Sequence, residues 1–81
     1  MKGRRVHIDK EFVLEPGDYG IRNGIWYCKT PNGFIGNLNQ HNVVEHKDGT
    51  ITVTPSILVS DDQKELWHGY LTKGVWRVLL K

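Results

Sequence analysis

The sequence predicts a small all-β domain, an antiparallel sheet of hairpins curled into a roll or half-barrel. Two observations predict this class. Glycine-containing turn signals recur along the chain, and short runs rich in β-branched and aromatic residues lie between them. The turn signals lie at 22–24, 30–33, 46–49 and 72–74. The predicted strands lie at 5–8, 12–14, 24–28, 42–46, 50–54 and 74–80.

The most strongly patterned strand is 50–54. It alternates strictly, with Ile51 and Val53 on one face and three threonines on the other. The Asp-Gly pair before it predicts a tight turn, so we expect a hairpin with residues 42–46. Pro55 has no N–H to donate to a ladder, so we expect this strand to end there or to lie at a sheet edge.

The segment 60–73 allows two interpretations. Ser60 followed by Gln63 matches a capping box, so we predict one short helical turn near 61–65. A helix extending to Gly74 stays open, because apolar residues continue at helical spacing. Gly69 disfavours that longer helix, since glycine costs about 1 kcal/mol there relative to alanine. We therefore expect a strand at 66–72 that pairs with 74–80.

Length, charge and cysteine content narrow the functional class. The 81 residues predict a single β domain over 1–81, and a core this small leaves a homodimer open. The net charge of +2 comes from scattered residues, so we expect no extended nucleic acid as a partner. One cysteine permits no intramolecular disulfide and is typical of a reducing compartment. With no apolar run of membrane length and no signal-peptide pattern, we expect a cytoplasmic protein without a membrane partner.

The histidines and the cysteine are the candidate metal ligands and general bases. Their spacing lacks the close pairs of a zinc module, so we predict no metal and no cofactor. If a metal were bound, its ligands would be Cys28, His41, His46 and His68. Ser56 lacks the G-x-S-x-G context of a nucleophile elbow, so we assign no catalytic residue and favour a protein that is not an enzyme.

Some of the aromatic side chains in the predicted strands cannot face a single hydrophobic core. Trp26 and Tyr27 are adjacent in a predicted strand and must point to opposite faces, so only one of them can join the core. The other is a candidate for protein contacts or for stacking on a base. The alternative is that a dimer partner covers that face.

Several motifs resemble a family of short phage-encoded proteins of unknown function. They span residues 16–77 and comprise Gly-Asp-Tyr, Trp-Tyr, Pro-Asn-Gly, Asp-Gly-Thr, Pro-Ser-Ile-Leu, Trp-His-Gly-Tyr-Leu and Gly-Val-Trp-Arg. The chain is more distantly similar to a bacterial domain-of-unknown-function family, which has a cysteine-rich turn where this sequence has only Cys28. The resemblance implies a phage accessory protein in the cytoplasm of an infected host.

Our leading hypothesis is therefore a non-enzymatic protein that binds a host component. The partner would be a host defence protein or a small nucleotide-like signalling molecule that it sequesters. The residues predicted to form the binding site are Trp26, Asn32, His41, Ser56, Trp67 and His68. The second hypothesis is a small hydrolase or nuclease that uses His41, His46 and His68, and the third is a metal-stabilised structural module.

Overall fold

The strands of this small chain form two four-stranded sheets that do not close into a barrel. The computed structural model describes residues 1–79. The first sheet contains β1 (Arg4–Arg5), β2 (Asp18–Arg22), β3 (Ile25–Lys29) and β4 (Ile35–Asn37), in that order. The second contains β5 (Asn42–Glu45), β6 (Ile51–Ser60), β7 (Glu65–Thr72) and β8 (Val75–Val78), in that order.

The predicted all-β class is confirmed. Neighbouring strands are antiparallel, except that β1 runs parallel to β2. Over residues 1–79 the chain forms no helix, and so none that is long and apolar enough to cross a membrane.

All four predicted turns connect antiparallel strands. Asn23 and Gly24 take φ values of 52° and 80°, and Lys73 and Gly74 take 47° and 76°. Two successive positive φ values are the signature of the two-residue hairpin turn that matches the twist of the flanking strands. The hairpin of residues 42–54 is also confirmed, with Asn42 opposite Thr54 and Glu45 opposite Ile51.

The two sheets share one hydrophobic core. Its buried members are Tyr19, Cys28, Leu38, Ile51, Val53, Ile57, Trp67, Leu71 and Trp76. At its centre the rings of Trp67 and Trp76 meet edge to face, with centroids 5.4 Å apart. Trp76 also donates its indole N–H to the carbonyl oxygen of Gly17 at 2.9 Å, which ties the second sheet to the start of β2.

The chain itself covers the outer face of the first sheet. Trp26 packs against the shared core, while Tyr27 points the other way. The segment between β1 and β2 lies over that second face. Ile8 and Leu14 are buried there, and the Phe12 ring meets the Tyr27 ring edge to face with centroids 4.6 Å apart. The strand predicted at 12–14 is wrong for this reason: those residues belong to a covering segment, in which Phe12 has a φ of 58°.

The predicted helical turn near 61–65 is also wrong, whereas the predicted strand at 66–72 is confirmed as part of β7. Residues 61–64 form a turn that joins β6 to β7. The Asp61 carboxylate accepts hydrogen bonds from the N–H groups of Gln63 and Lys64, at 3.1 and 3.0 Å. An Asx turn of this kind satisfies the local donors without a helix.

A bulge in β6 overturns the expectation for Pro55. The strand neither ends there nor lies at an edge, because β6 runs on to Ser60 between β5 and β7. Val53 pairs with Leu71 and Ile57 pairs with Gly69, so residues 54–56 lie opposite a single residue of β7. Pro55 falls inside this irregularity, where the ladder needs no N–H.

Candidate functional site

Ser56 and His68 lie together on the outer face of the second sheet, the face turned away from the core. Ile57 on β6 and Trp67 on β7 are buried, so side chains that alternate with them point outward. The Ser56 hydroxyl oxygen lies 2.8 Å from Nε2 of His68. The bulge preserves this arrangement, because its two additional residues amount to one full period of strand alternation.

A second bulge adds Glu65 to this pair. Residues three apart on a regular strand point to opposite faces. Val59 pairs with Trp67 but Ser60 pairs with Glu65, so β7 contains one additional residue at this point. That residue returns Glu65 to the face of His68, and Glu65 Oε1 lies 3.5 Å from Nδ1 of His68.

The Glu65 contact indicates which ring nitrogen of His68 carries the proton. A carboxylate only accepts, so its position 3.5 Å from Nδ1 favours the His68 tautomer that carries its hydrogen on Nδ1. In that tautomer Nε2 carries no hydrogen and accepts the hydroxyl hydrogen of Ser56, 2.8 Å away. The hydroxyl, the imidazole and the carboxylate form one oriented chain, and we call Ser56, His68 and Glu65 the outer-face trio.

Two further predicted residues, His41 and Asn32, donate hydrogen bonds to backbone carbonyl oxygens of β6 and β7 beside the trio. His41 donates from Nε2 to the carbonyl oxygen of Ser56 at 3.1 Å, and its buried Nδ1 has no hydrogen-bond partner among residues 1–79. Asn32 donates from its amide nitrogen to the carbonyl oxygen of Leu66 at 3.1 Å. These side chains hold β6 and β7 at the two bulges that bring the trio together.

The two predicted tryptophans lie elsewhere. Trp67 is 7% exposed and packs in the core against Trp76, so it is not available to stack on a ligand. Trp26 is half-buried on the core side of the first sheet, and the Arg5 guanidinium lies 5.0 Å from its ring centroid. Strand alternation predicted that one of two adjacent aromatics would face outward, but which one depends on sheet packing.

The four candidate metal ligands are not brought together. Cys28 is fully buried in the core, and burial raises the pKa of its thiol to about 12. It is therefore protonated at neutral pH and is a poor metal ligand or nucleophile. His46 hydrogen-bonds through Nε2 to the Thr52 hydroxyl at 2.7 Å. Over residues 1–79, no three histidine, cysteine or carboxylate side chains are grouped as metal ligands.

A cationic depression on the same outer face was not recognised from the sequence. It has a volume of about 490 Å³, and its lining residues are Tyr70, Thr72, Lys73, Val75 and Arg77. Tyr70 is 42% exposed and lies directly opposite Arg77 on β8. No carboxylate lines the depression, and no ion pair of Lys73 or Arg77 occurs within the described part of the chain. Alternation along the predicted hairpin of 66–80 was the signal that could have placed Tyr70 and Arg77 on one face.

No family model, no curated protein and no solved structure matches this chain. The resemblance to phage proteins drawn from the motifs stays a prediction. Function is therefore inferred from the geometry of the outer face of the second sheet.

Proposed function

We propose that the chain is a binding protein that sequesters a nucleotide-like molecule on the outer face of β7 and β8. The observation that carries this proposal is the depression beside Tyr70. An exposed aromatic ring and two cations line it, and no carboxylate of residues 1–79 does. A base stacks on an exposed aromatic ring, and a phosphate is bound by cationic side chains.

Tyr70 supplies the stacking surface of the proposed site. Stacking of a base on an aromatic side chain contributes about 1–3 kcal/mol and tolerates any base. Arg77 lies directly across the β7–β8 ladder from Tyr70, where facing side chains are close neighbours. Its guanidinium can bind two phosphate oxygens at once, and Lys73 adds a second positive charge at the adjoining turn.

The dimensions of the face suit a small ligand. The depression of about 490 Å³ lies within the ~300–1,000 Å³ range of ligand pockets. Thr72 and Val75 complete the lining of the depression beside Tyr70, Lys73 and Arg77.

Sequestration at this depression requires binding alone. In the setting that the resemblance to phage proteins implies, the ligand would be a signalling nucleotide in the cytoplasm of the infected host.

A thermal-shift screen tests the proposal directly. The probes are adenosine monophosphate, adenosine triphosphate, cyclic dinucleotides and inorganic phosphate. A nucleotide at 100 times its Kd should stabilise the fold by about 2.7 kcal/mol. At about 4–8 °C per kcal/mol for a domain of this size, the melting temperature should rise by more than about 10 °C.

Matched variants locate the binding. Arg77→Ala and Tyr70→Leu should each remove most of the shift, whereas Arg22→Ala on β2 should keep it, since Arg22 does not line the depression. An equal shift in Arg77→Ala would place the ligand elsewhere and overturn the proposal. A screen without any nucleotide shift would also overturn it, and would leave a host protein as the partner for this face.

A further inference from the structure

We infer that Ser56 is an activated nucleophile and that the outer-face trio transfers acyl groups from esters to water through it. This inference rests on Ser56, His68 and Glu65, none of which lines the depression beside Tyr70. It therefore does not depend on the proposed nucleotide site.

The Ser56–His68 geometry is that of a nucleophile and its general base. Their atoms are 2.8 Å apart, within the roughly 2.6–3.2 Å expected for such a pair. The direction of the hydrogen bond is also suitable. The carboxylate near Nδ1 favours the tautomer with its hydrogen on Nδ1, and in that tautomer Nε2 can remove the serine proton.

Glu65 acts as a positioning residue for His68. Its carboxylate lies 3.5 Å from Nδ1, where it holds the tautomer and would stabilise the imidazolium formed during attack. The irregularity in β7 at Leu66 is needed to place Glu65 on the same face as Ser56 and His68, and a second irregularity in β6 lies directly at Ser56. Bulges that aim side chains in this way are over-represented beside active sites.

The surroundings of the trio leave it both accessible and fixed. The side chains of His68 and Glu65 are 22% and 32% exposed, so a substrate can reach them. The hydrogen bonds from His41 and Asn32 to the carbonyl oxygens of Ser56 and Leu66 hold both bulges. Side chains that brace the backbone at these two points reduce the motion of Ser56 relative to His68.

The reaction proceeds in two balanced steps. Ser56 Oγ attacks the ester carbonyl carbon, the Oγ–C bond forms, and the hydroxyl proton passes to Nε2 of His68. The bond to the leaving alcohol breaks, and His68 returns that proton to the leaving oxygen. Water then attacks the acyl-serine, gives one proton to His68 and releases the carboxylic acid, and His68 reprotonates Ser56.

Two reagents test this chemistry on the intact chain. A fluorophosphonate should add once per molecule, with an Oγ–P bond formed on Ser56 and fluoride released, as intact-mass and peptide analysis would show. With p-nitrophenyl acetate, p-nitrophenolate release should depend on the same residue. Ser56→Ala should abolish both, whereas Ser60→Ala, a matched serine in the same strand, should retain both.

Substitutions of His68 and Glu65 should change the rate of Ser56 phosphonylation in different ways. His68→Ala should slow phosphonylation at least about 100-fold, with part of the rate restored by added imidazole. Glu65→Gln should slow it about tenfold at an unchanged melting temperature, since a merely structural role would alter stability and not rate. An unlabelled Ser56 in the folded wild-type protein would overturn the inference, as would equal labelling rates in wild type and a folded His68→Ala variant. Either result leaves nucleotide binding at Tyr70 and Arg77 unaffected.

Discussion

Gly69→Ala is expected to lower the free energy of unfolding by about 3 kcal/mol or more, enough to threaten a domain of this size. A Cβ atom at this position would collide with the backbone carbonyl oxygen of Arg77. It would also lie 2.5 and 2.8 Å from two ring carbons of Trp67. Neither group can move cheaply, because Arg77 belongs to the β7–β8 ladder and the Trp67 ring is packed against Trp76 in the core.

Gly36→Ala is the matched control for this substitution. Gly36 also lies in a strand, but a Cβ there would meet only Val59 at 3.5 Å and Cys28 at 3.8 Å, which are ordinary packing distances. Urea unfolding followed by circular dichroism should give a change of less than about 1 kcal/mol for Gly36→Ala. Similar free energies of unfolding for the two variants would contradict the close approach of Gly69 to the Arg77 carbonyl oxygen and the Trp67 ring.

Trp76→Ala is expected to cost about 3–5 kcal/mol, the range for deletion of a large buried aromatic side chain. The residue is 2% exposed and meets Trp67 edge to face in the core. Its indole N–H also bonds to the carbonyl oxygen of Gly17, which links β8 to the segment preceding β2. Truncation therefore removes core volume and releases a contact between the sheets.

Trp76→Phe separates the two contributions. Phenylalanine keeps an aromatic ring in the core but cannot donate to Gly17, whose carbonyl oxygen keeps the N–H of Arg4 at 3.2 Å, so the lost hydrogen bond should cost about 1 kcal/mol. Guanidinium unfolding monitored by far-ultraviolet circular dichroism should rank wild type above Trp76→Phe and Trp76→Phe above Trp76→Ala. Equal losses in the two variants, or a loss below about 1 kcal/mol in Trp76→Ala, would contradict this account of the core.

The hairpins could be predicted because their determinants are local. Asn-Gly and Asp-Gly pairs specify positive φ within two residues, and alternation in 50–54 specifies a face. β2 and β4 were missed because each is short and contains a glycine, so pairing with β3 and not local preference makes them strands. The Asp61 turn was mistaken for a helix start because both use the same capping side chains.

The outer-face trio could not be predicted, although Ser56 and His68 were both candidates. Its formation depends on register between β6 and β7, and the two bulges that set that register leave no local pattern in the sequence. Glu65 was not among the candidates, and its spacing from His68 gives no signal, since residues three apart on a regular strand do not share a face. Trp67 was predicted to lie in the binding site but is buried in the core. Alternation along a strand separates two faces but does not say which one is buried.

The central claim is that the outer face of β7 and β8 is the ligand-binding surface. Titration of ¹⁵N-labelled protein with adenosine triphosphate, followed through backbone amide chemical shifts, tests it most directly. The account predicts that the largest changes cluster at Tyr70, Thr72, Lys73 and Arg77, and that Arg77→Ala abolishes them. Changes centred instead on the groove of the first sheet lined by Arg5, Val6, His7 and Ile21 would contradict it.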